Sequence, residues 1–280
     1  ESYGQPNGAI ACGVNNTHVR SANSSQVNVI DGRDALPGEV PEYAAVTMEA
    51  CLFGKFHCLN VFCGGSIWNN RTIITAAHCV DIGSMDDLFV KTFTVCIGVR
   101  EKEGSEDRKI CSKTTNYVKH RFYNRLTNVN DIAIIIFNYE LRVPYFTKDG
   151  DGSTNKFCPP NENFFIPTKN SCFVVGFGIY DRSTKKMAQK LQIAPMKCVS
   201  NEECKKTYSG VTNSQICAKG PSGQTACNGD SGGPLLCLDA DGRAHLVGIV
   251  SYGTRNCPEN RLSVFTRISS YIDFINKNCN

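Results

Sequence analysis

From residue 29 onward, the apolar and β-branched residues of this chain come in short bursts, at 44–48, 72–75, 92–99, 132–137, 172–175, 246–251 and 262–267, with turn-forming residues between them. Runs of four to eight residues rich in Val, Ile, Thr and Phe form strands, and many such strands in series form an all-β sandwich or barrel. Only two helices are legible. Ser200 with Glu203 makes a capping box ahead of residues 202–208, and Ile268, Tyr271, Ile272 and Ile275 share one helical face at the C-terminus. Residues 1–28 differ in texture. They are rich in Gly, Asn and Ser and poor in large apolar groups, and they read as an irregular tail whose one anchor is Cys12.

Sixteen cysteines in 280 residues are a high, even count that a reducing cytosol disfavours, so an oxidising compartment is expected. A zinc protein fits less well: the five histidines (His18, His57, His78, His120, His245) are scattered and no tight C-x-x-C pair accompanies them, so neither metal nor cofactor is expected. A net charge of only +4, with Lys and Arg dispersed, argues against a nucleic-acid partner. No apolar run approaches the roughly 18 residues of a spanning helix. The first residues lack a signal-peptide pattern, so a secreted chain would already have lost its signal. Sequons at Asn15, Asn23 and Asn70 are glycosylation candidates that suit secretion.

The chemistry concentrates in Ala226-Cys227-Asn228-Gly229-Asp230-Ser231-Gly232-Gly233-Pro234. Glycines at 229, 232 and 233 permit a turn in which a serine stands exposed while the N–H groups of Gly229 and Ser231 converge on one oxyanion. A serine hydroxyl is a poor nucleophile at neutral pH and needs a base held by an acid. Candidates for both occur earlier: His78 in Thr75-Ala76-Ala77-His78-Cys79, after a β-branched run, and Asp131 at the opening of the apolar run 132–137. Taken singly, each has an ordinary structural reading as a buried histidine, a strand cap or a loop serine; their joint occurrence in order does not.

In these three motifs the chain resembles the trypsin/chymotrypsin-type serine endopeptidases over roughly residues 29–280. The resemblance implies two six-stranded antiparallel β-barrels acting as one unit, with the site between them and a C-terminal helix. It makes His78, Asp131 and Ser231 the catalytic residues, Gly229 and Ser231 the oxyanion hole, and Ser251 a supporting partner of Asp131. It implies disulfides Cys63–Cys79, Cys172–Cys237, Cys204–Cys217 and Cys227–Cys257, with Cys12 tethered to Cys158. Locality adds Cys51–Cys58 and Cys96–Cys111, which leaves Cys198 for Cys279.

The resemblance also implies a proenzyme. Val29-Ile30-Asp31-Gly32 matches the family's newly exposed N-terminus, whose ammonium pairs with Asp230, so cleavage after Asn28 by an activating protease would leave the tail attached through Cys12. The floor of the primary substrate pocket falls on Thr225 and Ala226, with Asn228, Tyr252, Gly253 and Ser263 around it. Without an acid there, a Lys or Arg side chain would be buried uncompensated. A chymotrypsin-like preference for large apolar residues is therefore expected, with an elastase-like preference for small ones as the alternative. The expected partners are protein or peptide substrates and protein protease inhibitors, and the expected state is a monomer. A non-catalytic homologue acting as a binding module is the competing class. An ester hydrolase with a G-x-S-x-G elbow would carry its acid and histidine after the serine, the reverse of the order here.

Overall fold

The computed structural model describes residues 32–36, 39–54, 56–102, 109–141, 172–181, 183–240 and 242–279. In chain order the first half carries β1 (Arg33–Asp34), β2 (Tyr43–Leu52), β3 (Phe56–Asn69), β4 (Thr72–Thr75), β5 (Phe89–Ile97), β6 (Ile110–Thr114), β7 (Tyr117–Lys119) and β8 (Ala133–Ile136). The second half carries β9 (Cys172–Gly176), β10 (Ile179–Asp181), β11 (Lys186–Met187), β12 (Gln192–Val199), α1 (Asn201–Lys205), β13 (Gln215–Lys219), β14 (Pro234–Leu238), β15 (Ala244–Gly253), β16 (Ser263–Arg267) and α2 (Ile272–Asn278).

Alternation explains the strands. In β5, Lys91, Phe93, Val95 and Ile97 are buried while the residues between them are more exposed, the period of two that puts one face on a core. The first sheet runs β6-β5-β2-β3-β4-β8-β7, every pair antiparallel. Its two edge strands, β6 and β7, are separated in sequence only by Thr115 and Asn116. Three Cα steps reach at most about 11 Å, so the two edges approach each other at that corner and the sheet curls. The corner is the bent chain itself, fastened to β8 where Thr114 Oγ1 donates to Ile136 O (2.8 Å) and Ile136 N donates to Asn116 O (3.0 Å). β6 and β7 share no ladder, so this sheet is a curled half-barrel. The second sheet closes by hydrogen bonds: β12-β13-β16-β15-β14-β9 returns to β12 through the β12–β9 ladder, and β1 lies outside on β12.

The barrels share a continuous core. Tyr43 and Phe62 of the first meet the edge of Phe177, just past β9, at centroid distances of 5.8 and 6.2 Å. Beyond β16 the chain crosses back, and Tyr271 and Phe274 pack against His120 at 5.5 and 4.8 Å, so α2 straps the second barrel onto the first. Helix α1 is capped as expected, with Ser200 Oγ accepting from Glu203 N, but it ends at Lys205, short of the expected 208. Tyr208 is instead held by its hydroxyl, at Thr254 Oγ1 (2.8 Å) and Leu262 O (2.9 Å).

Six disulfides match the expected pairs: Cys51–Cys58, Cys63–Cys79, Cys96–Cys111, Cys172–Cys237, Cys204–Cys217 and Cys227–Cys257. Cys12 and Cys158 lie outside the described residues, as do Asn15, Asn23, Asn28 and Val29. The expected Cys198–Cys279 bridge does not form. Cys198 sits on β12 with its sulfur 3.8 Å from that of Cys172, whereas Cys279 ends α2 against the first barrel, its carbonyl accepting from Asn69 Nδ2 at 3.4 Å. They belong to the surroundings of different barrels, and pairing by elimination had no view of that separation.

Burial pushes the Cys198 thiol up to about 12 and the Cys279 thiol up to about 11. For Cys198 this cuts the thiolate fraction at pH 8 by roughly a thousandfold relative to a free thiol. Native protein at pH 8 should therefore resist iodoacetamide, while denatured, unreduced protein should gain two carbamidomethyl groups by mass. A gain of four would mean that Cys12 and Cys158 are open, and a gain of none that Cys198 and Cys279 are bridged.

Candidate active site

His78 sits in a single tight turn, Ala77–Cys79, directly after β4, and the Cys63–Cys79 disulfide fixes that turn to β3. Its imidazole is partly open to solvent, with the side chain 27% exposed. Asp131 enters from the other direction. The preceding Asn130 has φ +59°, a left-handed conformation that asparagine tolerates better than most residues. It is pinned there by its own side chain, which donates to Phe122 O (2.8 Å) and accepts from Tyr271 Oη (2.9 Å). The chain thus turns at Asn130 and delivers the Asp131 carboxylate, fully buried, beneath the imidazole.

That carboxylate is well supplied with donors. Oδ1 accepts from His78 N (2.9 Å), and Oδ2 meets His78 Nδ1 (2.8 Å) and Ser251 Oγ (2.5 Å). The Asp131 carbonyl accepts from Thr266 Oγ1 at 2.7 Å. Burial pushes the Asp131 pKa up, but the charge and hydrogen bonds of His78, together with Ser251, outweigh it and hold the acid below the usual carboxylate range. Burial likewise pulls His78 down, and the adjacent carboxylate more than reverses this, so the imidazole titrates above its ordinary value. With Nδ1 engaged by Asp131, Nε2 is the nitrogen left to exchange a proton with a substrate or nucleophile.

Ser231 is brought to this pair by β3. Gly64 N donates to Ser231 O (2.7 Å) while Gly64 O accepts from Thr75 Oγ1 (2.8 Å), so one residue joins the segment leading to His78 to the serine turn. Ser231 Oγ makes no hydrogen bond to a described residue. Gly229 has φ +98°, and the backbone N–H groups of Gly229 and Ser231 also donate to no described acceptor. Those two donors are available to an oxyanion.

The turn is held from behind by Asp230. Its carboxylate is buried and accepts from Gly178 N (2.8 Å) and Cys227 N (2.9 Å). It lies so close to Gly176 and Gly178 that a Cβ on either would collide with it. Burial raises its pKa to about 6 against those two hydrogen bonds, so ionised Asp230 is under-compensated by its described neighbours.

Of the residues expected around the substrate pocket, Thr225, Ala226 and Ser263 are buried, Asn228 is exposed, and Tyr252 packs edge-on against Tyr208 (5.6 Å). Ser263 Oγ lies 2.9 Å from Thr225 Oγ1 and accepts from Ala226 N at 3.1 Å. At Gly253 a Cβ would meet nothing closer than 3.9 Å, so that wall is open. Cys63, His78 and Cys79 are close enough to suggest a metal cluster, but both sulfurs are spent in their disulfide. Sequence reasoning missed Thr266, Asn130 and Gly64. Only the positive φ favoured at Asn130 had a sequence signal.

The family model described as Trypsin matches residues 29–275, and the chain belongs to the trypsin family of serine proteases. It is 33% identical over 261 residues to "Chymotrypsin-C" of Rattus norvegicus, covering 89% of this chain and 88% of that protein. It is 32% identical over 257 residues to "Chymotrypsin-C" of Mus musculus, covering 88% and 87% respectively.

Replacing Asp131 by Asn removes the charge that raises the His78 pKa and leaves the burial that lowers it. The imidazole of Asp131→Asn should therefore titrate below about 6.5, and that of the parent above it. An NMR titration of the ring protons checks this, and a parent value below 6.5 would contradict the assigned ion pair.

Proposed function

We propose that this chain is a secreted serine endopeptidase, made as a zymogen and opened by cleavage before Val29, in which Ser231 is the nucleophile, His78 the base and Asp131 its orienting acid. The observation that carries the reading is the Ser251–Asp131–His78 hydrogen-bonded chain, with its carboxylate fully buried, together with the N–H groups of Gly229 and Ser231, which donate to no described acceptor. On this reading His78 Nε2 takes the Ser231 proton as Oγ attacks the scissile carbonyl, and the two N–H groups receive the developing oxyanion. The imidazolium then protonates the leaving amine, and water repeats the sequence to free the acyl group. Asp131 stays ionised throughout and stabilises the imidazolium.

The new Val29 ammonium would supply the cation that buried Asp230 lacks among the described residues, and so fix the turn that aims both oxyanion donors. Substrate would lie extended along Ser251, Tyr252 and Gly253 by strand addition. A floor of two hydroxyls with no carboxylate rejects Lys and Arg, and Ser263 shortens the pocket from below. These features favour Leu, Met, Phe and Tyr, with the smaller of them preferred; the low-clearance floor at Ser263 is what an elastase-like reading would rest on. Secretion, protein inhibitors as partners and a monomeric state go with this reading, as does glycosylation at Asn70, on the turn between β3 and β4.

Two measurements test it. Ser231→Ala should lower kcat by about 10^6-fold and abolish labelling by a serine-directed fluorophosphonate, with the label in the parent mapping to Ser231. Label on a different residue would remove the assignment. Ser263→Gly should deepen the pocket and move the ratio of kcat/KM for Tyr over Leu substrates upward by roughly tenfold or more; an unchanged ratio would mean that Ser263 does not set the depth.

A further inference from the structure

Strand β3 is long, and only its second half has neighbours on both sides. On one side β2 pairs with it from 56 to 66. On the other side β4 pairs with 66–69, and the serine turn takes Gly64, whose N–H donates to Ser231 O. Gly64 turns its C=O away from β2 as well, where it accepts from Thr75 Oγ1. An antiparallel ladder alternates between residues that bond to the partner strand and residues that face away from it, so Phe62, Asn60 and Cys58 face the same way as Gly64. None of their N–H or C=O groups bonds to a described residue.

An open edge of this kind is a template for another strand, and proteins ordinarily blunt it with Lys, Pro or other charge. Residues 58–62, Cys-Leu-Asn-Val-Phe, carry none of these. Leu59 is 51% exposed, and Phe53 and Phe56, at the end of the hairpin, are 70% and 64% exposed. The Cys51–Cys58 disulfide ties this stretch to β2, so the edge is in place before anything binds to it.

Direction decides what fits. β3 runs towards the serine turn and reaches it at Gly64. The part of a substrate that follows the scissile bond starts at Ser231 and runs outward, so along this edge it lies antiparallel to β3, the better-bonded arrangement. The part before the bond is assigned to Ser251–Gly253, which leaves the β3 edge for the part after it. At about 3.4 Å per residue, counting outward from Gly64 sets Phe62 beside the second leaving residue, Asn60 beside the fourth and Leu59 beside the fifth, about 17 Å from Gly64.

We propose that the β2–β3 hairpin is an exosite for the leaving segment of the substrate, which adds as a strand along Phe62, Asn60 and Cys58 and lays an apolar side chain against Leu59 and Phe56. This rests on the serine endopeptidase reading above. It narrows the substrates to extended polypeptides that continue at least about six residues beyond the cut, with an apolar group near the fifth and no proline at the paired positions. A peptide that stops two residues after the cut reaches only Phe62.

The test uses the activated full-length enzyme and peptides that share one acyl side and one scissile bond. A leaving segment of eight residues with Leu in fifth place should give a kcat/KM at least about tenfold above that of a two-residue segment, the gain expected for covering one large apolar side chain. In Leu59→Asp enzyme the ratio of long over short peptide should fall towards one. Methylating the backbone nitrogens of the long peptide one at a time needs no variant enzyme. The penalty should alternate, falling at the second, fourth and sixth leaving residues and sparing the third and fifth, because only alternate N–H groups face β3. A ratio near one in the wild-type enzyme overturns the exosite and leaves the protease reading standing. A long-peptide advantage without that alternation also overturns it. So does an advantage that fades as enzyme concentration rises, which would put a second copy on the edge. Enzyme that cleaves neither peptide overturns both.

Discussion

The interaction on which the rest of this molecule depends is the burial of one carboxylate, Asp131, at the meeting of its two barrels. The oxygens of this residue gather donors from three stretches of chain: the His78 turn after β4, β15 through Ser251 and β16 through Thr266. An ionised group so deep is tolerated only when its lone pairs are filled, and removing one partner of a buried pair commonly costs about 3–5 kcal/mol. The same requirement that keeps the carboxylate supplied also sets the position of one barrel against the other. The imidazole inherits its orientation from that docking. Tyr271, which leads into α2, reaches back to Asn130, so the strap that joins the barrels also steadies the residue that aims Asp131.

Around this centre the site stands on rigid elements. His78 is one residue from a disulfide, Ser231 is tied by its carbonyl to Gly64 and followed by β14, and Gly232 N donates to Val250 O at 2.9 Å. Groups carried this way keep their geometry without a substrate to organise them. Three of the six disulfides lie across paired strands, and the other three fall where the ladders do not reach. Cys63–Cys79 joins β3 to a turn, Cys204–Cys217 joins α1 to β13, and Cys227–Cys257 joins the serine segment to the loop after β15.

What the sequence made legible was local. The runs at 44–48, 72–75, 132–137, 172–175, 246–251 and 262–267 became β2, β4, β8, β9, β15 and β16 because β-branched residues bounded by turns carry their own signal. Strand β3 escaped because its first half, from Phe56 to Val61, is exposed or half-exposed, and its inward end is Gly64 and Gly65, which no apolar count registers. The approach of β6 to β7 escaped because it is a property of the curled sheet and not of residues 110–119. Thr266 could not be singled out from its own strand, since its partner lies 135 residues away. Cys198 and Cys279 were paired by elimination, which assumes that every cysteine in an oxidised chain finds a partner; each is placed by its strand or helix before any bridge can form.

Asp230 links the local motif to the global state. A carboxyl whose pKa burial lifts to about 6 is held by two backbone N–H groups, and those groups belong to the segments that flank the serine turn, Gly178 beside Gly229 and Cys227 at the turn's start. The direction of the Gly229 and Ser231 N–H groups therefore depends on where the Asp230 side chain is held. A cation brought to that carboxylate would return the cost of burying its charge and narrow the turn to one conformation; without it, ionisation near neutral pH strains the same turn. On the proposed reading this makes the charge of one buried acid, and not the reacting residues themselves, the point at which cutting the chain acts. The His78–Asp131 pair is supplied by its own donors and needs no such cut to be in place.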